Sequence, residues 1–299
     1  MSEREWSLAT DASRNVNTNA ELRNVANALF EGSGGIEEDR DRAIELWKEA
    51  AEKGDLRSKY SLAIQYMSNP ETIDRVKARD LLESALMSKD EEEEEEDKEI
   101  EGLITFALGT LEEAEKGDEH ETAMELYLRS AKRGHSGACF KIGQNFQKNQ
   151  DFENARQWFV NGAALGHADC HHSLSTMYVN GEGGTQDFQK GFQLALRAVH
   201  LSEDHSDPLP HAEFTLGNHY YHGVGTKQNR TEAIKFWKRS AEKGFVFAQI
   251  NLGTAYRDDH ALSEARKYYA MASENSEIAA KMLKELDEKY PHLYSSSSS

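Results

Sequence analysis

The side chains best suited to chemistry gather in "HADCHH", residues 167–172, where His167, Cys170, His171 and His172 stand within one short stretch. Imidazole and thiolate are the usual ligands of zinc. On a helix, however, the adjacent His171 and His172 project about 100° apart and do not converge on one ion. Two glycine-rich stretches, "GEGGT" from Gly181 and "GVGTK" from Gly223, suggest a phosphate cradle only at first sight. A phosphate loop needs G-x-x-x-x-G-K-[ST] behind a strand, and neither the spacing nor a strand is present. Cys139 and Cys170 are the only thiols. A nucleophile needs a base and an orienting group beside it, and no such set accompanies either cysteine. Two small buried residues are the simpler reading. No residue is therefore assigned as catalytic, cofactor-binding or metal-binding, and no cofactor is expected. "NRT" at Asn229 matches a glycosylation sequon, but it reads better as a helix cap.

The elements that carry these residues repeat. "AIELWKEAAEKG" begins at Ala43, and "AIKFWKRSAEKG" begins 190 residues later at Ala233. Apolar residues at offsets of three and four make one face of a helix, and Gly54 or Gly244 stops it. The same Ala, bulky residue and stop recur as Ala123/Tyr127/Gly134 and Ala155/Phe159/Gly166. Weaker copies without the stop glycine are Ala78/Leu82, Gly191/Ala195 and Ala265/Tyr269. The seven copies are spaced by 32 to 45 residues, so the interval of 190 is five periods of 38. Such a period marks a repeat array.

A second helix precedes each copy. "AEFTLGNHYYHGVG" has Ala212, Leu216, Gly217, Tyr220, Gly223 and Gly225, and "CHHSLSTMYVNGEG" follows it with Cys170, Leu174, Ser175, Tyr178, Gly181 and Gly183. "ACFKIGQNF", "AQINLGTAY" and "SKYSLAIQY" give shorter versions. The small residue after Leu or Ile admits a neighbouring helix, and each hairpin buries its apolar faces only by stacking on others. In this register His167 takes the place that His135 holds in the preceding copy, and Cys170 the place of Ala212. That further weakens the metal reading.

Small-x₃-Leu-Gly-x₂-Tyr-x₂-Gly-x-Gly followed by Ala, an aromatic and Ala-x-x-Gly resembles the Sel1-like repeat, a relative of the tetratricopeptide repeat. The resemblance spans roughly residues 20 to 275. It is strongest from Cys170 to Gly244 and weakest before residue 120, where "GLITFALGT" can be registered in two ways. It implies an all-α fold: a right-handed α-solenoid of about seven helix-turn-helix repeats with a C-terminal capping helix. It also implies a non-catalytic scaffold or adaptor, or a regulatory or assembly subunit of a larger enzyme complex. An enzyme with a cleft between repeats is the remaining alternative. Family members serve in quality control, chitin synthesis and respiratory-complex assembly. The cysteines of the assembly factors and the signal peptide of the quality-control members are not found here.

A formal charge of −18 and a pI near 5.1 disfavour nucleic acid and anionic membrane surfaces and favour a basic or neutral protein partner. No apolar run approaches the ~20 residues of a membrane span. The sparse cysteines suggest a reducing compartment, and the expected location is cytoplasmic, with the nucleus open. Residues 1–19 are expected to be a disordered segment, 20–290 the solenoid and 291–299 a disordered tail. An acidic loop is expected at 89–99, with Glu91 to Asp97 as its charged heart. By the resemblance, first helices line the concave groove. Positions two, six and nine after the small residue then mark the binding stripe. That stripe supplies Gln144 and Gln147; His172 and Thr176; Phe214, Asn218 and Tyr221; Thr254 and Arg257. Asn and Gln amides suit a peptide backbone, and Arg257 a carboxylate.

Overall fold

The computed structural model describes residues 18–70, 73–87, 95–117, 121–204 and 209–291. Among them the regular elements are fifteen helices and no strands. The chain divides into two compact units, Met1–Asn145 and Phe146–Ser299. The N-terminal unit holds α1 (Asn19–Glu31), α2 (Arg40–Glu52), α3 (Leu56–Ser68), α4 (Arg75–Met87), α5 (Glu95–Lys116), α6 (Glu121–Lys132) and most of α7 (Ser136–Lys148). The C-terminal unit continues with α8 (Phe152–Ala164), α9 (Ala168–Asn180), α10 (Phe188–Asp204), α11 (Pro210–His222) and α12 (Arg230–Glu242). It closes with α13 (Val246–Asp258), α14 (Leu262–Ser273) and α15 (Glu277–Lys289). In chain order these are seven pairs and a final single helix, the all-α solenoid order that the repeats imply.

Side chains define where the helices start. Thr18 and Glu21 form a reciprocal capping box on α1, and Asp39, Asp151 and Asn229 each accept a backbone N–H three residues on. The sequon asparagine is thus a cap, worth about 1 kcal/mol. Gly54 and Gly244 follow their helices with φ of 95° and 85°, a conformation costly for any other residue.

Within a hairpin, the residue after the motif leucine touches the bulky residue of the second helix. A methyl group on Gly253 would lie 2.5 Å from the Tyr269 ring, and one on Gly109 2.7 Å from Tyr127. On Gly217 it would overlap the Trp237 indole. The Gly109–Tyr127 contact settles the register that the sequence leaves open: Leu108-Gly109 is the Leu-Gly pair of α5. The second loop glycine meets a different constraint. A side chain at Gly225 would overlap the carbonyl of Phe188 in the hairpin before it, and one at Gly183 the carbonyl of Phe152. The G-x-G loops are therefore packing surfaces between successive hairpins.

Buried carboxylates staple helices together. Glu213 on α11 is fully buried, with Arg239 of α12 at 2.6 Å and Lys243, the residue that caps α12, at 2.8 Å. Glu101 on α5 is held likewise by Arg129 of α6 and by Arg133 just after it, at 2.6 and 2.8 Å. The acidic stretch differs from expectation at its end. Residues 88–94 lie outside the described residues, but the helix α5 already begins at Glu95, and Glu99 pairs with Arg57 of α3 at 2.8 Å. The expected N-terminal segment and tail fall mainly on residues 1–17 and 292–299, outside the described residues.

Glu213→Gln should lower the urea midpoint of the C-terminal unit by the equivalent of about 1.5–3 kcal/mol, the worth of charge-assisted hydrogen bonds. Arg239 and Lys243 still reach solvent, which keeps the loss below that of a fully enclosed pair. Denaturation followed by circular dichroism checks this.

Candidate partner-binding surface

In α11 and α13 position six of the stripe turns inward toward a second-helix aromatic. Asn218 Oδ1 accepts hydrogen bonds from the Trp237 indole at 3.1 Å and from Asn251 Nδ2 at 3.2 Å. The hydroxyl of Thr254 lies 3.0 Å from that of Tyr269. The N-terminal unit repeats the device, with Trp47 Nε1 donating to Asn27 Oδ1 at 2.9 Å. In the α5/α6 hairpin Tyr127 donates to Glu113 at 2.6 Å, and burial and that bond push the phenol pKa up. Asn218 and Thr254, expected as peptide ligands, thus satisfy the polar atoms of second-helix aromatics. A buried indole N–H without a partner carries a desolvation penalty, which explains why a polar residue stands there. Position nine is also engaged: Tyr221 packs on Trp237 at 4.9 Å, with the Arg230 guanidinium 5.6 Å from its ring centre. Phe30, Trp47 and Arg40 reproduce this set in the first hairpin.

Position two forms the link between successive hairpins. His172 on α9 meets His211 on α11 edge to face at 4.5 Å, and its Nε2 lies 3.0 Å from Thr215 Oγ1. His211 in turn sits 3.0 Å from Asp169 Oδ1. One hairpin later Phe214 contacts Phe245 at 5.2 Å and Phe247 at 6.3 Å. Thr176 donates to the His172 carbonyl at 3.4 Å. Gln147 is half-buried, Gln144 and Arg257 are exposed, and Arg257 leans on the neighbouring Asp258 at 3.3 Å. Gln144 belongs to the N-terminal unit and the other stripe residues to the C-terminal one.

Sequence reasoning missed Phe247, 62% exposed beside Phe214, and His211 with its Asp169 partner. All three sit one residue before the small position of their helix, so aligning that column as well would have revealed them. Burial, together with the neighbouring His211 and His219, lowers the His172 pKa to about 4. For Asp169 burial pushes upward, but the His211 hydrogen bond and the nearby imidazoles outweigh it and hold the carboxyl low. Among the described residues no group of three or more His, Cys, Asp or Glu is arranged to hold a metal ion. Cys139 and Cys170 are buried free thiols.

The Sel1 repeat matches residues 22–55, 108–135, 137–167, 168–202, 210–245 and 246–277, well over half of the chain. The chain belongs to the Sel1 repeat family. A solved Sel1 repeat protein from Oxalobacter formigenes superposes with a TM-score of 0.57 at 18% identity, covering 97% of this chain and 80% of that one. That likeness concerns the fold. The Saccharomyces cerevisiae chitin synthase regulator SKT5 is 30% identical over 126 residues, 40% of this chain and 17% of that protein. An exopolysaccharide production negative regulator of Rhizobium leguminosarum bv. viciae is 30% identical over 89 residues, 28% of this chain and 33% of that protein. This chain therefore spans a third or less of the regulators it matches. Sel1 repeats generally mediate protein–protein interaction, and both of these relatives are regulators. No helix among the described residues is long and apolar enough to cross a membrane.

Two outcomes are expected here. Asn218→Ala strips Trp237 of its acceptor and should destabilise the C-terminal unit by about 1–3 kcal/mol, visible as an earlier tryptophan-fluorescence transition in urea. His172 is depressed from 6.5 to about 4, so the unfolded chain takes up a proton there first. Its contribution to stability is full above pH 6.5 and lost as pH falls toward 4. Thermal melts across that range should show a steeper decline for the natural chain than for His172→Gln.

Proposed function

We propose that this Sel1 repeat protein is a non-catalytic scaffold that receives a partner protein on the first-helix face of its C-terminal unit. The observation carrying this reading is the aromatic ledge of Phe214 and Phe247, continued by Tyr221, with the exposed Arg257 beyond it on α13. An exposed phenylalanine beside a second one contributes nothing to the solubility of its own chain, whereas buried aromatics and arginines dominate protein interfaces. Asn218 and Thr254 support the ledge from beneath; Gln147, His172 and Thr176 extend it, and Gln144 offers a separate exposed amide on the N-terminal unit. The net charge of −18 favours a basic or neutral partner over nucleic acid. A cytoplasmic location fits the two free thiols.

The regulators among the relatives favour a second, compatible reading: the scaffold adjusts or assembles a separate enzyme and has no chemistry of its own.

The test uses two exposed residues, of which Phe247 also touches Phe214 and Phe245. Phe247→Ser combined with Arg257→Glu should leave the circular dichroism spectrum unchanged and lower the melting temperature by only a few degrees. Quantitative cross-linking mass spectrometry should then show partners of the natural chain lost from the variant, with capture weakening as salt rises for a basic partner. An identical set of cross-linked partners would reject this face. For the regulator reading, a co-purifying enzyme should change its rate at least severalfold when the chain is removed and recover when it is returned.

A further inference from the structure

A cavity of about 480 Å³ opens in the N-terminal unit between α2, α3 and α4. That size lies within the ~300–1,000 Å³ typical of ligand sites. Its floor is Ala51, Leu62, Leu81 and Tyr66; Lys48 and Lys77 stand at its rim with Glu52, Asp80 and Ser84. The C-terminal unit contains the same arrangement in closed form. Aligned on the small residues, Lys48, Ala51, Leu62 and Tyr66 correspond to Lys238, Ala241, Leu252 and Tyr256. There Tyr268 of α14 lies parallel to Tyr256, with ring centres 5.7 Å apart and planes 5° apart. Lys238 Nζ is 5.8 Å from the Tyr256 ring centre, and Lys267 Nζ 5.6 Å from that of Tyr268. The α11/α12 hairpin does likewise, Phe236 covering Tyr220 at 5.8 Å and 3°.

In the N-terminal cavity the residue corresponding to Tyr268 is Leu81, and Met271 is replaced by Ser84. Among the described residues no ring stacks on Tyr66, while Lys77 Nζ already stands 5.7 Å from its centre. The missing volume is that of a planar ring; Lys48 stands where Lys238 does and Lys77 already lies over Tyr66, while Asp80 takes the place of Lys267. The hairpin bearing Leu81 and Ser84 also lies within residues 56–107, which the Sel1 repeat does not match.

We propose that this cavity receives one aromatic side chain, of tyrosine size, presented by a peptide segment of a partner protein. The incoming ring lies on Tyr66 as Tyr268 lies on Tyr256, and Lys48 and Lys77 meet the negative face of the paired rings. The site is in the other compact unit from the aromatic ledge and stands or falls without it.

Two probes test the proposal on the full chain by methyl NMR: p-cresol, the side chain of tyrosine, and N-acetyl-tyrosinamide. Both should give saturable shifts at the Ala51, Leu62 and Leu81 methyls, the amide more tightly, and 4-methylcyclohexanol should give none. Leu81→Tyr with Ser84→Met supplies the ring from within and should abolish binding. Lys48→Ala, an exposed change that leaves the fold alone, should weaken both probes about two- to fivefold, the worth of one exposed cation–π contact. Shifts that fail to saturate, that equal those of the alicyclic alcohol, or that survive both variants overturn the ring site. Binding of p-cresol without N-acetyl-tyrosinamide overturns the peptide source and indicates a small free phenol.

Discussion

The hairpins rest on one contact, in which a small residue after the motif leucine lets the bulky residue of the second helix lie against the first helix backbone. Trp237 and Tyr269 are fully or almost fully buried by it. Removing such a side chain commonly costs ~3–5 kcal/mol, a large share of a domain's stability. The close approach that buries an indole also strands its N–H away from water. The side chain at the following stripe position answers that, as Asn27 does for Trp47 and Asn218 for Trp237.

Two hairpins lack the aromatic of this contact: α9/α10, with Ala195 in its place, and α3/α4. In α3/α4 the bulky residue is Leu82, which has no polar atom to satisfy, and the position matching Asn218 is the apolar Ile64. Leu81 and Leu82 stand where α14 has Tyr268 and Tyr269, and the cavity lies beside Tyr66, on which no ring stacks among the described residues.

The same column logic explains how the C-terminal unit varies along its face. The contact between position two of one hairpin and the residue before the small position of the next is imidazole on imidazole at His172/His211 and aromatic at Phe214/Phe247. Each keeps the hairpins in contact, since both pairs are flat and of similar size. Their chemistry differs: the first is polar, partly enclosed and tied to Asp169, whereas the second leaves an apolar ring in solvent. Stacking therefore constrains shape at this column and leaves polarity free, which is how a repeat protein acquires a distinct surface without a new fold.

The sequence by itself determined the hairpin period, the helix cap at Asn229, the loop glycines and the family, because those depend on local spacing and backbone conformation. It also placed Asn218 and Thr254 on the first helices of their hairpins, at position six of the stripe. Only the tertiary structure decided which way their hydrogen-bonding capacity is spent, since a stripe position says which face a residue occupies and nothing of what packs above it. The register of α5 needed the Gly109–Tyr127 contact, because "GLITFALGT" offers two equally periodic alignments. The pairing of His211 with Asp169 and the void over Tyr66 arise between residues distant in sequence. A void has no sequence signature of its own: it appears only when the chain that lines it is folded and the missing ring is seen to be missing.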